Sequence, residues 1–359
     1  MLQLLLGGSG SGKTTLLYQR IRARAEKGEK SILLVPEQFT SSTEGRIYRE
    51  LGDALSGMVE SFSFTSLAEK ILSTEGGAAV QTLSDAGRAV LVRRALEELQ
   101  DNVHYYHRHR RSAAFCQMAA QTIDELKSAG LSGRQLAQLA GACGAESGKL
   151  SELALIFQGY ETLLARSGMD PSDRLELAGA RLEEALARHS LPEFLRDRAV
   201  FIDEFDTFNA PKKRLLGALL AALPSVTVAL CDDGAPLLPG DLSLFSGAKQ
   251  VAAQLRQLAR KNGAEVAVPQ LLRKDLRHRN APGLAAVAEL LETGSCTADA
   301  PADEVRLFAA PSREEEARAA AGAIRRLMRQ GVRCGKIAVV CRDIAKYRAA
   351  VRYEFRMAE

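Results

Sequence analysis

The sequence predicts an α/β fold in which a parallel sheet carries helices on both faces and is interrupted by a large all-helical segment. Three observations predict it. Short apolar runs alternate with helical stretches over residues 1–83, a glycine-rich loop joins the first run to the first helix, and strand-like runs vanish over 84–191 and then return. Alternation of strand and helix implies parallel pairing, because each crossover helix carries the chain back across a face of the sheet.

Leu2 to Leu6 is apolar enough for a buried strand, and Thr15 to Ile21 beyond the loop has helical spacing. Ser31 to Val35, closed by Pro36, reads as a second buried strand, and Met58 to Phe62 as a third. The amphipathic run Ser66 to Leu72 follows. From 84 to 191, Ala, Leu, Glu and Arg recur at helical spacing in Ala86–Leu99, Ala113–Ala129, Glu152–Ala165 and Arg174–Ala187. Gly130, Gly133, Gly141 and Gly168 to Pro171 mark the turns of this helical insertion.

The sheet is expected to resume with Ala199 to Ile202 and Val226 to Cys231, followed by a helix over Phe245–Lys261 and a short strand over Glu265–Val268. The basic stretch from Arg256 to Arg279 has aliphatic spacing at Leu271-Leu272 that also fits a helix covering the sheet. Residues 294–303 have the Gly, Ser, Thr, Asp and Pro content of a linker. Beyond it a strand at Val305–Phe308, a helix at Arg313–Gln330 and a strand at Ile337–Val340 begin a second α/β unit, which the chain is expected to leave incomplete.

A length of 359 residues suggests about two or three domains. A net charge of +4 neither requires nor excludes nucleic acid, and 5% aromatic content without Trp disfavours an extended base-stacking surface. The six cysteines form no C-x-x-C pair, so no zinc or iron–sulfur site is written in this stretch. No apolar run approaches the ~20 residues of a membrane span. A cytoplasmic protein with free thiols, and no membrane partner, is the expectation.

Gly7-Gly8-Ser9-Gly10-Ser11-Gly12-Lys13-Thr14 satisfies G-x-x-x-x-G-K-S/T, the phosphate-loop pattern. Glycines let backbone N–H groups turn toward phosphate oxygens at the positive end of a helix. ATP and Mg²⁺ are therefore the expected cofactors. The loop through Thr15 would cradle the phosphates, with Lys13 on the β/γ-phosphates and Thr14 on the metal. Such sites need carboxylates at the end of a neighbouring strand. Asp203, where the Val200–Ile202 run ends, is the candidate second metal ligand, and Glu204 the candidate base for an attacking water.

The same residues resemble the AddB (RexB-like) subunit family of the bacterial ATP-dependent helicase–nuclease that processes double-strand DNA breaks. The likeness runs through the loop, Leu34 to Thr40, Ser61 to Ala68, Phe201 to Phe205, Leu244-Phe245, Arg313 to Glu316, and Gly331 with Ile337 to Asp343. It implies a superfamily 1 helicase architecture: a RecA-like lobe over 1–83 and 192–293, a helical insertion over 84–191, a linker over 294–303 and the start of a second RecA-like lobe over 304–359. It also implies a heterodimer with an AddA-type helicase–nuclease subunit, DNA as a partner, and a nuclease with an iron–sulfur cluster in a region beyond Glu359.

Within that likeness, Phe39 to Arg49 resembles a segment that touches single-stranded DNA, and Arg279 resembles in position the arginine that reaches toward the γ-phosphate. Three departures stand out. Thr65 replaces a histidine of the helicase pattern, only six residues precede Gly7 where an adenine-reading glutamine motif is usual, and Asp232-Asp233-Gly234 lacks the expected glutamine sensor. These departures imply a nucleotide-binding but motor-deficient member, with weak ATP hydrolysis at most. A free-standing phosphate-loop ATPase or a small-molecule kinase is the alternative.

The block His104 to Arg111 gathers three of the five histidines with Tyr105, Tyr106 and three arginines. It fits either a polar loop between helices or a nucleic-acid contact.

Overall fold

A computed structural model describes residues 1–79, 81–144, 147–295 and 304–358. Six strands form one parallel sheet: β1 (Leu2–Gly7), β2 (Ser31–Leu34), β3 (Val59–Phe62), β4 (Ala199–Ile202), β5 (Ser225–Cys231) and β6 (Gln270–Leu272), in the order β3-β2-β4-β5-β1-β6. The helices are α1 (Lys13–Ala25), α2 (Thr40–Leu51), α3 (Asp53–Ser56), α4 (Phe64–Glu75), α5 (Asp85–Glu98), α6 (Ala113–Ser128), α7 (Gly133–Ala140), α8 (Ser147–Ser167), α9 (Pro171–Ala187), α10 (Ala210–Ala222), α11 (Ser246–Lys261), α12 (Pro282–Thr293), α13 (Arg313–Arg329) and α14 (Ile344–Met357). The chain divides into two compact units, Met1–Asn280 and Ala281–Glu359.

Alternating side chains on each strand face opposite ways, and in the first unit both faces are covered. Leu5, Leu33, Phe201 and Ala229 pack under α1 and α2, where Leu17, Ile21 and Ile47 meet them. Leu4, Leu6, Ile32, Leu34, Val200 and Val228 pack on the other side, with α4, α9, α10 and α11. This two-sided burial is why the strands read as unbroken apolar runs in the sequence. Leu34, fully buried in that second layer, should cost about 2–5 kcal/mol when truncated to Ala, readable as a lowered denaturant midpoint.

α5, α6, α7 and α8 form a separate apolar cluster built around Val92, Ile123, Phe157 and Tyr160. α7 lies where only glycine breaks are visible in the sequence. Gly133 is the first residue of that helix, and Ser132 caps it by accepting a hydrogen bond from Gln135 N in a capping box. α9 leaves this cluster, because Leu175, Ala178 and Leu182 join the sheet-side core beside α4 and α10.

Three expected strands come out differently. Within Glu265–Val268 only Val266 bridges, to Leu2, and regular pairing resumes at Gln270–Leu272 after Pro269, which has no N–H to give a ladder. Leu271 and Leu272 therefore lie in edge strand β6 and not in a helix. In the second unit α13 forms as expected, but Val305–Phe308 and Ile337–Val340 have no strand partners among the described residues. Leu307 is 100% exposed and Val340 91%. A β-strand exists only as part of a hydrogen-bonded ladder, and apolar content alone cannot supply one. Of the expected linker, residues 296–303 lie outside the described residues.

α13 and α14 pack through Ala317, Ala321 and Ala350, and Arg318 holds the buried Glu354 by two hydrogen bonds of 3.0 and 2.9 Å.

Candidate functional site

The carboxyl ends of β1, β4 and β5 bring the chemistry-bearing residues of the first unit together. β5 lies between β1 and β4, so the loop after Gly7 and the acidic pair after Ile202 stand two strand spacings apart, roughly 10 Å. Gly7 ends β1 and must lack a side chain, since a Cβ there would come within 2.4 Å of Ser11 Oγ and 2.7 Å of the Leu272 carbonyl. Gly10, at φ +78, has the Cβ of Arg277 2.7 Å from where its own would lie.

α1 begins at Lys13 with left-handed Gly12 as its N-cap, no side-chain cap and no acidic residue in its first turn. Its free N–H groups and positive dipole end are thus left for an anion. Lys13 Nζ donates to the carbonyls of Gly7 and Gly8, each at 2.8 Å, which fixes the ammonium over the loop. The buried Ser11 Oγ has no hydrogen-bond partner in the protein. Loop, helix end, lysine and unsatisfied hydroxyl form a donor-rich cradle whose chemistry fits a polyphosphate.

Asp203 is 6% exposed, and burial lifts its carboxyl above the ordinary 3.8. A hydrogen bond from Thr14, the Glu204 N–H at 3.0 Å, and the charges of Arg46 and Lys13 act against that rise. Thr14 and Asp203 are therefore in contact, as two ligands of one hard cation would be. Glu204 follows with φ +65, a left-handed backbone that is uncommon outside glycine. Burial first, and then the Asp203 charge, raise its carboxyl above 4.5. Proximity to a buried carboxylate and a raised pKa suit a proton acceptor.

Thr15 is exposed on the first turn of α1. Arg279 is exposed too, and the member of its turn that meets the loop is Arg277, which donates to Ser9 Oγ at 3.1 Å. Leu276 N donates to the Gly10 carbonyl at 3.0 Å, and Asp275 braces the turn by accepting from the N–H groups of Arg277 and His278. Arg46 on α2 is a second cation; it belongs to the Phe39 to Arg49 stretch that resembles a DNA-contacting segment, and the sequence does not place it at this site. It sits 4.8 Å over the Tyr18 ring, beside both acidic residues, and burial pushes the Tyr18 hydroxyl up to about 12. No spacing rule links Arg46 to the loop, although Arg277 lies in a basic run that the sequence does mark.

The segments that carried the family likeness also converge. Pro36, Gln38, Phe64, Thr65 and Phe205 line one cleft of about 400 Å³ beside Glu204, and Lys212 of α10, outside those segments, joins them. Phe64 and Phe205 meet edge to face at 5.3 Å. Thr65 is exposed at the start of α4, whose Ser63 N-cap and Ser66 form a capping box. Among the described residues no group of His, Cys, Asp and Glu gathers to hold a metal by itself, and no helix is long and apolar enough to cross a membrane.

An α/β chain with a glycine-rich loop on a parallel sheet and a buried carboxylate two strands away defines a broad class. The particular family follows from residues 4–288, which match the family described as ADDB, N-terminal. The chain belongs to that family. It is 34% identical over 99% of its length to the B-type subunit of the ATP-dependent helicase/deoxyribonuclease of Desulforudis audaxviator, and covers 31% of that protein. The proteins of the same name from Symbiobacterium thermophilum and Geobacillus kaustophilus are 33% and 31% identical over 96% and 99% of the chain, again covering 31% of each relative. The chain thus spans about a third of the length of the curated relatives it matches.

Proposed function

We propose that the first unit is a phosphate-loop, RecA-like lobe with α5 to α8 as its helical insertion, and that it binds ATP–Mg²⁺ within a DNA-processing helicase–nuclease subunit. The observation that carries this reading is the contact of Thr14 with buried Asp203, beside a loop whose lysine is already drawn over it. Gly7 to Thr15 cradle the phosphates, Lys13 neutralises the β/γ-phosphates, and Thr14 with Asp203 holds Mg²⁺. Glu204 orients water or accepts its proton. Arg277 and Arg279 supply positive charge from the facing turn. The cleft at Phe64 and Lys212 is the lobe's route to DNA, and an AddA-type motor subunit in the cytoplasm is the partner. The names of the relatives support the DNA-directed part.

The test is calorimetric binding of MgATP to the chain, with and without single-stranded DNA. Micromolar or tighter binding that DNA leaves intact supports the reading, and transfer of phosphate to a small metabolite overturns it.

A pH dependence follows. Mg²⁺ needs an ionised Asp203, and burial holds its carboxyl above 3.8, so protons compete at higher pH than at a free aspartate. MgATP affinity should fall about tenfold per pH unit once the pH drops below that raised value. The metal-free protein has the opposite linkage: a raised carboxyl pKa favours the folded state as the pH falls through the raised value toward 3.8. Affinity that stays flat into the ordinary aspartate range would contradict the assignment of Asp203.

A further inference from the structure

We propose that the loop 104–111 is a contact for single-stranded nucleic acid, with phosphates on Arg108, Arg110 and Arg111 and a base on Tyr105. The proposal deepens the DNA-directed part of the reading above and does not depend on the nucleotide site.

The loop is built and held. Glu152 of α8, 7% exposed, accepts hydrogen bonds from three successive backbone N–H groups: His104 at 2.8 Å, Tyr105 at 2.8 and 2.9 Å, and Tyr106 at 3.2 Å. Val103 is buried at its entrance, and the rings of Tyr106 and His109 lie 5.3 and 5.7 Å from Phe115 of α6. A buried carboxylate ringed by consecutive amides gives the backbone a fixed shape. Glu152 is thereby committed to the main chain and leaves the arginines uncompensated.

What the fixed backbone presents is positive. Among the described residues Arg108, Arg110 and Arg111 form no ion pair, whereas Arg93 and Arg94 on adjacent α5 pair with Glu97 and Glu98. Three unpaired guanidiniums within four residues repel one another, and a row of phosphates removes that repulsion. Tyr105 is 57% exposed. One edge rests on Gly148, where a Cβ would come within 3.1 Å of the ring, and Lys149 stands 6.0 Å from its centre. The rest of the ring is open to stack on a base.

The experiment is fluorescence anisotropy of a labelled oligothymidylate with the full chain across a salt series. It compares the wild type, a variant with Arg108, Arg110 and Arg111 all changed to Ser, and Tyr105→Ala. Each lost single-strand phosphate contact flattens the slope of log K against log salt by about 0.7, so the triple variant should be flatter by about 2. Tyr105→Ala should weaken binding about fivefold or more with the slope kept. Equal slopes for wild type and triple variant overturn the proposal, as does equal loss for dextran sulfate with no effect of Tyr105→Ala, or preference for an acidic peptide over the oligonucleotide. MgATP affinity is measured on the same variants. Its retention in the triple variant, and its loss only in Lys13→Ala, separates failure of the loop from failure of the nucleotide site.

Discussion

Replacing Lys13 by Ala should lower MgATP affinity at least about 100-fold while leaving the far-ultraviolet dichroism of the chain unchanged. The ammonium sits over the loop through the carbonyls of Gly7 and Gly8, so it is already in place when phosphate oxygens arrive. Hydrogen bonds between charged groups contribute about 1.5–3 kcal/mol each. Loss of two such contacts gives about 3–6 kcal/mol, or roughly 10²–10⁴ in affinity. Lys13→Arg should not rescue binding, because a planar fork cannot take the position of a compact ammonium enclosed by two carbonyls. Titration calorimetry of the three proteins is the check. Unchanged affinity in Lys13→Ala would make the loop a structural turn.

The largest effect on stability is expected far from that loop. Lys127 of α6 reaches across to α9, with Nζ 2.7 Å from Asp170 Oδ2 and 3.0 and 2.8 Å from the two Asp173 oxygens. Tyr160 donates to Asp170 Oδ1 at 2.6 Å, and Asp170 is 1% exposed. Lys127→Met keeps the volume and strands two carboxylates, so unfolding in urea should show a loss of about 3–5 kcal/mol at neutral pH.

Burial opposes the charge on Lys127, yet Asp173 and Asp170 outweigh it and hold the ammonium pKa above 10.5. The stabilisation is therefore complete below 10.5 and fades only as the pH climbs through the raised value. Asp173 is pushed above 3.8 by its own burial even with the lysine present. Without the lysine it rises further, so the deficit of the variant should shrink as the pH falls and Asp173 protonates. Asp173→Asn in the Lys127→Met background should recover part of the loss, and a pH-independent deficit would show that packing alone had been changed.

The sheet was legible because burial on both faces writes each strand as a continuous apolar run, as in Ile32-Leu33-Leu34 and Val200-Phe201-Ile202. The places of the loop and of Asp203 were legible because a glycine-rich run between an apolar strand and a helix, and an acidic residue where an apolar run ends, are marked by local spacing. Arg46 was not, since its place beside Asp203 depends on how α2 packs over α1. Arg277 stood two residues from the arginine that the family likeness selected, and the choice between them depends on which way a turn braced by Asp275 faces. α7 was hidden because Gly133 lies at its first position, where a helix tolerates glycine and the Ser132 cap starts it. The segments at 305–308 and 337–340 show the reverse error, in which apolar composition predicts an extended chain but says nothing of a neighbour.

The strand order carries a consequence for how the chain is made. β1 pairs in parallel with β5, Leu2 beside Val226, and on its other side with β6. At about 5–20 residues per second, ribosomal synthesis leaves Leu2, Leu4, Leu5 and Leu6 without either neighbouring strand for roughly 10–45 s. The cluster of α5 to α8, made entirely of nearby contacts, can close in that interval. A strand delivered early is thus among the last of the sheet to gain its neighbours, and its leucines stay open to solvent or to a chaperone until then.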